Sequence, residues 1–226
     1  MKKIIVLVTS VIVLCLFSLS AEATPIFINE IHYDNLSTDV GEGVEIAGPA
    51  GTDLTSWSIL LYNGSSSQLN VYDSIEIHGI LPDLQNGFGM LAFATPGIQN
   101  GTPDGIALVN STGSLIQFLS YEGIFTPTSG PASGITSTDI GISETSSSPI
   151  GYSLQLSGTG SDSLDFTWDL LAINSMGMVN QDQVFMAAPQ DPSSNPVAPV
   201  PEPATLLLFA CGLILTLGLR KLRSVC

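Results

Sequence analysis

Residues 57–64 read Trp-Ser-Ile-Leu-Leu-Tyr-Asn-Gly and carry the clearest fold signal in the chain. Trp57, Ile59 and Leu61 recur at every second position, which is the spacing of side chains on one face of a β-strand. The Asn63-Gly64 pair that follows is typical of tight hairpin turns, because both residues tolerate a positive φ. We therefore predict a strand here, with Trp57, Ile59 and Leu61 directed towards a core.

Short segments of the same kind lie on both sides of this strand. They are separated by turn residues, the chain contains 22 Gly and 14 Pro, and no segment shows a convincing helical period. This spacing predicts an all-β domain, an antiparallel sandwich. Residues 126–148, rich in Ser, Thr, Gly and Pro, are interpreted as a long excursion across one end or as a domain boundary. The other strands are predicted at residues 26–33, 44–46, 75–77, 90–94, 106–109, 115–120, 154–156 and 166–171.

The N-terminus has the pattern of a secretory signal peptide. Lys2 and Lys3 precede an apolar run over residues 4–19, and Ala21 and Ala23 form an A-x-A cleavage site. We predict a signal peptide over residues 1–23, so the exported chain begins near Thr24.

The C-terminus has the pattern of a membrane anchor. Residues 204–219 carry no charge, which corresponds to a helix of roughly 24 Å, slightly short of a hydrocarbon core. The basic residues that follow orient this end towards the cytoplasm. Pro203 biases Glu202 towards an extended conformation that a processing enzyme can grip. The residues assigned to sorting are Pro201, Glu202, Pro203, Arg220, Lys221 and Arg223.

Residues 200–226 resemble the PEP-CTERM sorting signal of Gram-negative bacteria, with its Pro-Glu-Pro motif, short apolar span and basic end. The resemblance implies processing by an exosortase-type enzyme, transient membrane anchoring, and delivery to the cell surface or extracellular matrix. It also implies a setting of exopolysaccharide or biofilm. The alternative is an ordinary C-terminal anchor.

The exported segment, residues 24–199, contains no Lys or Arg. All five basic residues and all three cysteines lie in the two ends, and all but two of the 20 acidic residues lie between them. Such a surface repels nucleic acid, because phosphate binding depends on Lys and Arg. Without cysteine, the segment has no disulfide and no thiolate metal site, and it must fold by burial alone.

Acidic residues cluster between residues 30 and 45, beside asparagines. Carboxylate and amide oxygens are the ligands that calcium prefers, although the spacing is not that of an EF-hand. We name Asp34, Asp39 and Glu42 as candidate calcium ligands, calcium being the one cofactor considered. The alternative is that the cluster of acids, Glu30 and Glu45 included, forms a solvated face.

Nothing in the sequence predicts catalysis. The chain has no Gly-x-Ser-x-Gly, His-Glu-x-x-His or phosphate-loop motif, so we assign no catalytic residue and predict a non-enzyme. His32 is interpreted as a polar position on the wet face of a strand, with a metal site shared with Asp34 as the alternative, and His78 as an exposed strand residue. Trp57 and Trp168 would stack on sugars if exposed, but their alternating strands favour burial.

Several segments in order resemble the lamin-tail domain in its bacterial exported form. The resemblance implies an immunoglobulin-like sandwich over residues 24–187, followed by a Pro/Ser-rich linker at 188–199 and the sorting signal with its transmembrane segment at 200–226. Gly43 departs from the family, which usually has an aromatic residue there; glycine removes apolar burial or allows close backbone approach. The matching segments are residues 28–35, 41–46, 54–64, 98–108, 116–123, 152–160 and 165–168.

These observations favour a non-enzymatic, exported surface or matrix protein. A calcium- or glycan-binding module is the first alternative. A cryptic secreted hydrolase is the second, and it requires two carboxylates facing each other in a pocket.

Overall fold

Strands make up most of the ordered secondary structure of the computed structural model, which describes residues 25–101 and 103–187. Within these residues there are eleven strands and one short 3₁₀ helix, Ser163–Asp165. The all-β prediction is confirmed, and every predicted strand is found. The strands are β1 (Phe27–His32), β2 (Gly43–Pro49), β3 (Trp57–Asn63), β4 (Asn70–Ile77), β5 (Phe88–Ala94), β6 (Asp104–Val109), β7 (Leu115–Tyr121), β8 (Thr138–Asp139), β9 (Tyr152–Gly160), β10 (Phe166–Ile173) and β11 (Gln183–Phe185).

The strands form two sheets. The first sheet has the order β10-β9-β1-β2-β5, with β11 pairing with β9 as its sixth strand, and the second has the order β4-β3-β6-β7-β8. Neighbouring strands are antiparallel except for two short parallel pairs, β11 with β9 and β8 with β7. These two short strands escaped the sequence analysis, because two or three residues are too few to show a period.

One apolar core contains side chains of both sheets. The prediction for β3 is confirmed: Ile59 and Leu61 are fully buried, and Trp57 is 9% exposed. Alternation along each strand sends every second side chain into this core. The first sheet contributes Ile28, Ile31, Val44, Ile46 and Leu154, and the second contributes Trp57, Ile59, Leu61, Ile106, Leu108 and Leu119.

The other face of each sheet is also covered. On the first sheet, a second cluster joins Phe27, Ala47 and Phe88 to Phe185 of β11. On the second sheet, Tyr62 and Phe118 pack against Phe125, just before the long excursion, and against Ala132 within it. Strands β1 and β6 are therefore buried along their whole length, unlike strands with one wet face.

The long excursion belongs to the same fold. Its strand β8 pairs with β7, and the N–H of Ala132 donates to the Tyr62 hydroxyl at 3.1 Å. Gly130 lies so close to the Tyr62 ring that a Cβ added there would come within 2.5 Å of the Tyr62 hydroxyl oxygen. The excursion is thus a covering loop, which excludes the alternative of a domain boundary within it.

Within residues 25–101 and 103–187, no helix combines the length and apolar character needed to cross a membrane. The predicted signal peptide, linker and C-terminal transmembrane segment lie outside the described residues.

Trp57→Ala tests the inter-sheet core. Removing the buried indole should lower the free energy of unfolding by about 3–5 kcal/mol, through lost burial and the cavity left behind. Chemical denaturation monitored by circular dichroism measures the change. Ile80→Ala, at a position 64% exposed, is the control and should leave the midpoint unchanged. A Trp57→Ala protein as stable as its parent would contradict the assigned core.

Candidate functional site

A β-bulge in β1 decides which face each acid of this strand occupies. Ile28 pairs with Ile46 and Glu30 pairs with Glu45, so that Asn29 is the extra residue between two register pairs. In a regular strand Ile28 and Ile31 would lie on opposite faces, because side chains alternate with a period of two. The bulge instead directs both of them into the inter-sheet core. Glu30 is directed to the opposite face, next to Glu45 of β2.

Glu30 and Glu45 lie beneath residues 174–185, which we call the covering segment. Both carboxylates are fully buried. Glu30 accepts hydrogen bonds from the Ser175 backbone N–H and hydroxyl, both at 2.9 Å. Glu45 accepts from the Gly177 N–H at 2.5 Å and from the Asn29 amide at 2.8 Å. For these two acids the alternative of a solvated face is therefore wrong, because the chain returns after β10 to cover them.

Further polar contacts attach the covering segment to the same strands. The Asn180 side-chain amide donates to the backbone oxygens of Asn29 and Leu156, at 3.0 and 3.1 Å. The Gln183 amide donates to the Asn29 side-chain oxygen at 2.7 Å. The acids, amides and backbone thus form one satisfied buried network, which rigidifies the outer face of the first sheet.

Burial dominates the protonation of this pair. It raises the pKa of Glu45 to about 8; the Asn29 hydrogen bond acts in the opposite direction, and the charge of Glu30 adds to the rise. Burial also raises the pKa of Glu30, and the hydrogen bonds from Ser153 and Ser175 only partly oppose it. No Lys or Arg exists in the exported segment to offset either charge.

A third buried carboxylate, Glu144, reaches the end of β1 from the long excursion. It accepts hydrogen bonds from the backbone N–H groups of Tyr33 and Asp34, at 2.6 and 2.9 Å. The Tyr33 hydroxyl accepts in turn from the Glu144 N–H at 2.9 Å, and the Tyr33 ring stacks on Tyr121 with centroids 4.0 Å apart. These hydrogen bonds of Glu144 therefore attach the excursion to the end of β1.

His32 is part of this third site. Its Nδ1 lies 2.8 Å from Glu144 Oε1, and the residue is only 2% exposed. The interpretation of His32 as a wet strand position is wrong, because the excursion folds over it. Burial alone would lower the pKa of His32, but the hydrogen bond and charge of Glu144 outweigh it and raise that pKa above its ordinary value. His78 is exposed, just beyond the end of β4.

The candidate calcium ligands lie in the loop from β1 to β2. Asp34 and Asp39 are neighbours: burial raises the pKa of Asp34 first, and the charge and hydrogen bond of Asp39 raise it further. Glu42 instead accepts a 2.7 Å hydrogen bond from the Gly97 N–H. Among residues 25–101 and 103–187, no group of three or more His, Cys, Asp or Glu side chains is placed to hold a metal ion. Calcium binding stays a hypothesis.

Asp104, at the start of β6, connects two loops of the second sheet. One oxygen of its buried carboxylate accepts from the Gly64 N–H at 3.1 Å, and the other accepts from the Gly101 N–H at 2.9 Å. The side chain thereby joins the loop after β3 to the loop before β6.

Gly43, the departure from the lamin-tail pattern, allows a close approach. A Cβ at this position would lie 3.0 Å from the sulfur of Met176 and 3.1 Å from the backbone oxygen of Phe93. Met176 belongs to the covering segment, between the residues that bind Glu30 and Glu45. Its side chain thus occupies the space above Gly43.

The sequence analysis missed the partners of the buried acids. Glu144 is the one charged residue between Asp139 and Asp162, in a loop of Ser, Thr and Gly. Two signals could have indicated burial: a lone acid in such a loop, and acids within apolar strand sequence, Glu30 before Ile31 and Glu45 between Val44 and Ile46. Their partners Ser175 and Gly177 carry no comparable signal, because both donate backbone N–H groups, which every residue except proline has.

The residues assigned to sorting lie outside the described residues: Ala21, Ala23, Pro201, Glu202, Pro203, Arg220, Lys221 and Arg223. Comparison of the sequence with protein families finds the PEP-CTERM protein-sorting motif at residues 199–224. No curated protein and no solved structure matches the chain. The motif implies processing by an exosortase-type enzyme, with export and sorting to the cell envelope or surface.

The buried acids predict that stability falls as pH rises. Between pH 4.5 and about 8 the folded protein keeps a proton on Glu45 that the unfolded chain has lost. The raised pKa values of Glu30, Asp104 and His32 act with the same sign. The free energy of unfolding should drop by a few kcal/mol between pH 5 and 8, since a tenfold difference in proton affinity is about 1.4 kcal/mol.

Denaturation at fixed ionic strength measures this slope, and Glu45→Gln should reduce it because an amide does not titrate. Glu76→Gln makes the same exchange at an exposed position of β4 and should keep the slope of the parent protein. A parent protein that gains stability towards pH 8 would contradict the assignment.

The calcium hypothesis predicts that about 1 mM calcium raises the melting midpoint in a constant 0.15 M salt background. This concentration lies in the affinity range of extracellular calcium sites. Salt at that level already screens exposed charges beyond about 8 Å, so a further shift reports a site. Asp39→Asn should abolish the shift. Asp73→Asn, on an exposed position of β4, should retain it. No shift in the parent would leave Asp34 and Asp39 as polar loop residues.

Proposed function

We propose that this exosortase-sorted chain is a non-enzymatic protein of the cell surface or extracellular matrix, associated with exopolysaccharide or biofilm. Before processing it contacts the membrane through its C-terminal segment, and it does not bind nucleic acid. The domain is proposed to be an immunoglobulin-like sandwich of the lamin-tail type. Two sheets that share one core, and the order of the matching segments, support this assignment.

The main support for a non-enzymatic role is that the buried carboxylates hold loops in place. Glu30, Glu45, Glu144 and Asp104 each accept hydrogen bonds from backbone N–H groups that hold loops in place. A glycoside hydrolase of the common type needs two carboxylates that face a substrate. Glu30 and Glu45 are a neighbouring pair, but both are fully buried beneath the covering segment, which argues against the hydrolase alternative.

The surface depressions support the same view. One is lined by loop residues around Asp104, and the other lies along β7 and β10 with Asp139 on its wall. Each of these two holds a single carboxylate, and neither places a histidine beside it. A binding role suits these surfaces better than acid–base chemistry.

Processing of the C-terminus tests the proposal in cells. Mass spectrometry of the exported protein should show a chain that lacks Arg220, Lys221 and Arg223. Replacement of Pro201, Glu202 and Pro203 by alanine should leave the precursor in the membrane fraction, because the processing enzyme loses its recognition element. An Asp191→Ala variant, altered in the linker, should be processed as the parent is.

Fractionation then decides the location. The parent protein should be recovered with the extracellular polysaccharide, and the triple-alanine variant should not. An extracellular product with an intact basic end would contradict processing. A processed protein that washes freely away from the polysaccharide would contradict the matrix role.

A further inference from the structure

A groove runs along the edge of the fold where strands of both sheets come together. Its walls are β7 and β8 of the second sheet on one side, and the 3₁₀ helix and β10 of the first sheet on the other. It encloses about 390 Å³, at the lower end of the roughly 300–1,000 Å³ of ligand pockets. None of the buried acids that hold the loops lines it.

Trp168 lies in this groove. It packs against the apolar core between the sheets and against the cluster on the outer face of the first sheet, and it remains partly exposed. Leu164 of the 3₁₀ helix and Ile135 of the excursion form the rim, and they are 60% and 45% exposed. The two tryptophans thus differ: Trp57 belongs to the core, whereas Trp168 presents part of its ring to a surface groove.

Polar groups stand between these apolar side chains. Gln117 lines the groove, and its Oε1 accepts a 2.8 Å hydrogen bond from the Ile28 N–H, which fixes its amide. Asp139 Oδ1 accepts from the Gly141 N–H at 3.0 Å. The hydroxyl-bearing lining residues are Thr136, Thr138 and Ser163.

This mixture indicates the chemistry of the ligand. An aromatic ring with aliphatic neighbours binds the C–H face of a pyranose ring, and amide, hydroxyl and carboxylate groups bind sugar hydroxyls. A purely apolar ligand that covered the NH2 group of Gln117 and the hydroxyl of Thr138 would leave these groups without hydrogen-bond partners, which is costly.

Charge narrows the ligand class further. Residues 24–199 contain no Lys or Arg, and Asp139 contributes a negative charge to the groove itself. Uronate, sulfate or phosphate groups would therefore meet repulsion without a compensating cation. The ligand that fits is uncharged.

We propose that the groove binds a short segment of an uncharged polysaccharide, with Trp168 as the stacking surface and Leu164 at the rim. This inference rests on the proposed matrix role and names the ligand class for it. Gln117, Asp139 and the threonine hydroxyls supply the hydrogen bonds that orient the sugar.

Tryptophan fluorescence of the purified exported protein tests the inference, with cellohexaose, dextran and mannan as neutral probes and polygalacturonate as the anionic one. At least one neutral probe should shift the emission to shorter wavelength, because it covers the exposed part of Trp168. Trp57→Phe should keep this response, since the indole that it removes lies in the core. Polygalacturonate should give none.

Leu164→Asp is the decisive variant, because its exposed position leaves folding intact while it adds a charge to the rim. Affinity for the neutral probe should fall roughly tenfold or more, the loss that corresponds to about 1.4 kcal/mol. Ile173→Asp is the matched control: it is 70% exposed on β10, outside the groove lining, and should bind as the parent does. Trp168→Ala should remove binding, with circular dichroism as a check on its fold.

Absence of a response to all three neutral probes, or unchanged affinity in Leu164→Asp, would overturn the inference. Binding of polygalacturonate alone would overturn it as well. Cell fractionation separates this failure from failure of the proposed function. A parent protein that stays with the matrix but ignores neutral glycans contradicts the groove alone, whereas one that never reaches the matrix contradicts the function.

Discussion

Carboxylates that accept backbone N–H hydrogen bonds connect the loops of this domain to its sheets. Glu144 holds the excursion to the end of β1 through Tyr33 and Asp34. Glu30 and Glu45 hold the covering segment through Ser175 and Gly177. A buried carboxylate must be compensated, and in a segment without Lys or Arg the backbone N–H groups, side-chain amides and hydroxyls are the donors available.

The covered outer faces follow from these contacts. Phe185 belongs to the covering segment, and Phe125 immediately precedes the excursion. These two aromatic side chains add apolar clusters outside the two sheets. Central strands are thereby buried on both faces, and the domain buries more apolar surface than two sheets without these outer layers would. This extra burial suits a domain that has no cysteine to cross-link it.

The acids that hold the loops and the residues that line the groove are different sets. Glu30, Glu45, Glu144 and Asp104 hold the loops of the fold, and the raised pKa values of Glu30, Glu45 and Asp104 couple their protonation to stability. None of these acids lines the groove beside Trp168, so that substitutions in the groove leave the contacts that hold the loops unchanged. The sorting motif at residues 199–224 accounts for the route of the protein.

Local patterns were sufficient for the class of the fold and the route of the chain. Alternation in residues 57–61 predicted a strand and its buried face, because the period of a strand is a property of the backbone. The sorting motif at residues 199–224 is a linear signal, so that comparison of sequences alone finds it. The burial of Glu30, Glu45 and His32 was beyond such reasoning. It depends on the bulge at Asn29, which changes the face that follows, and on the return of Glu144 and Ser175 from more than a hundred residues away. Contacts between residues so far apart in sequence produce no local periodicity in the sequence. Only the tertiary structure therefore determines which acids are buried.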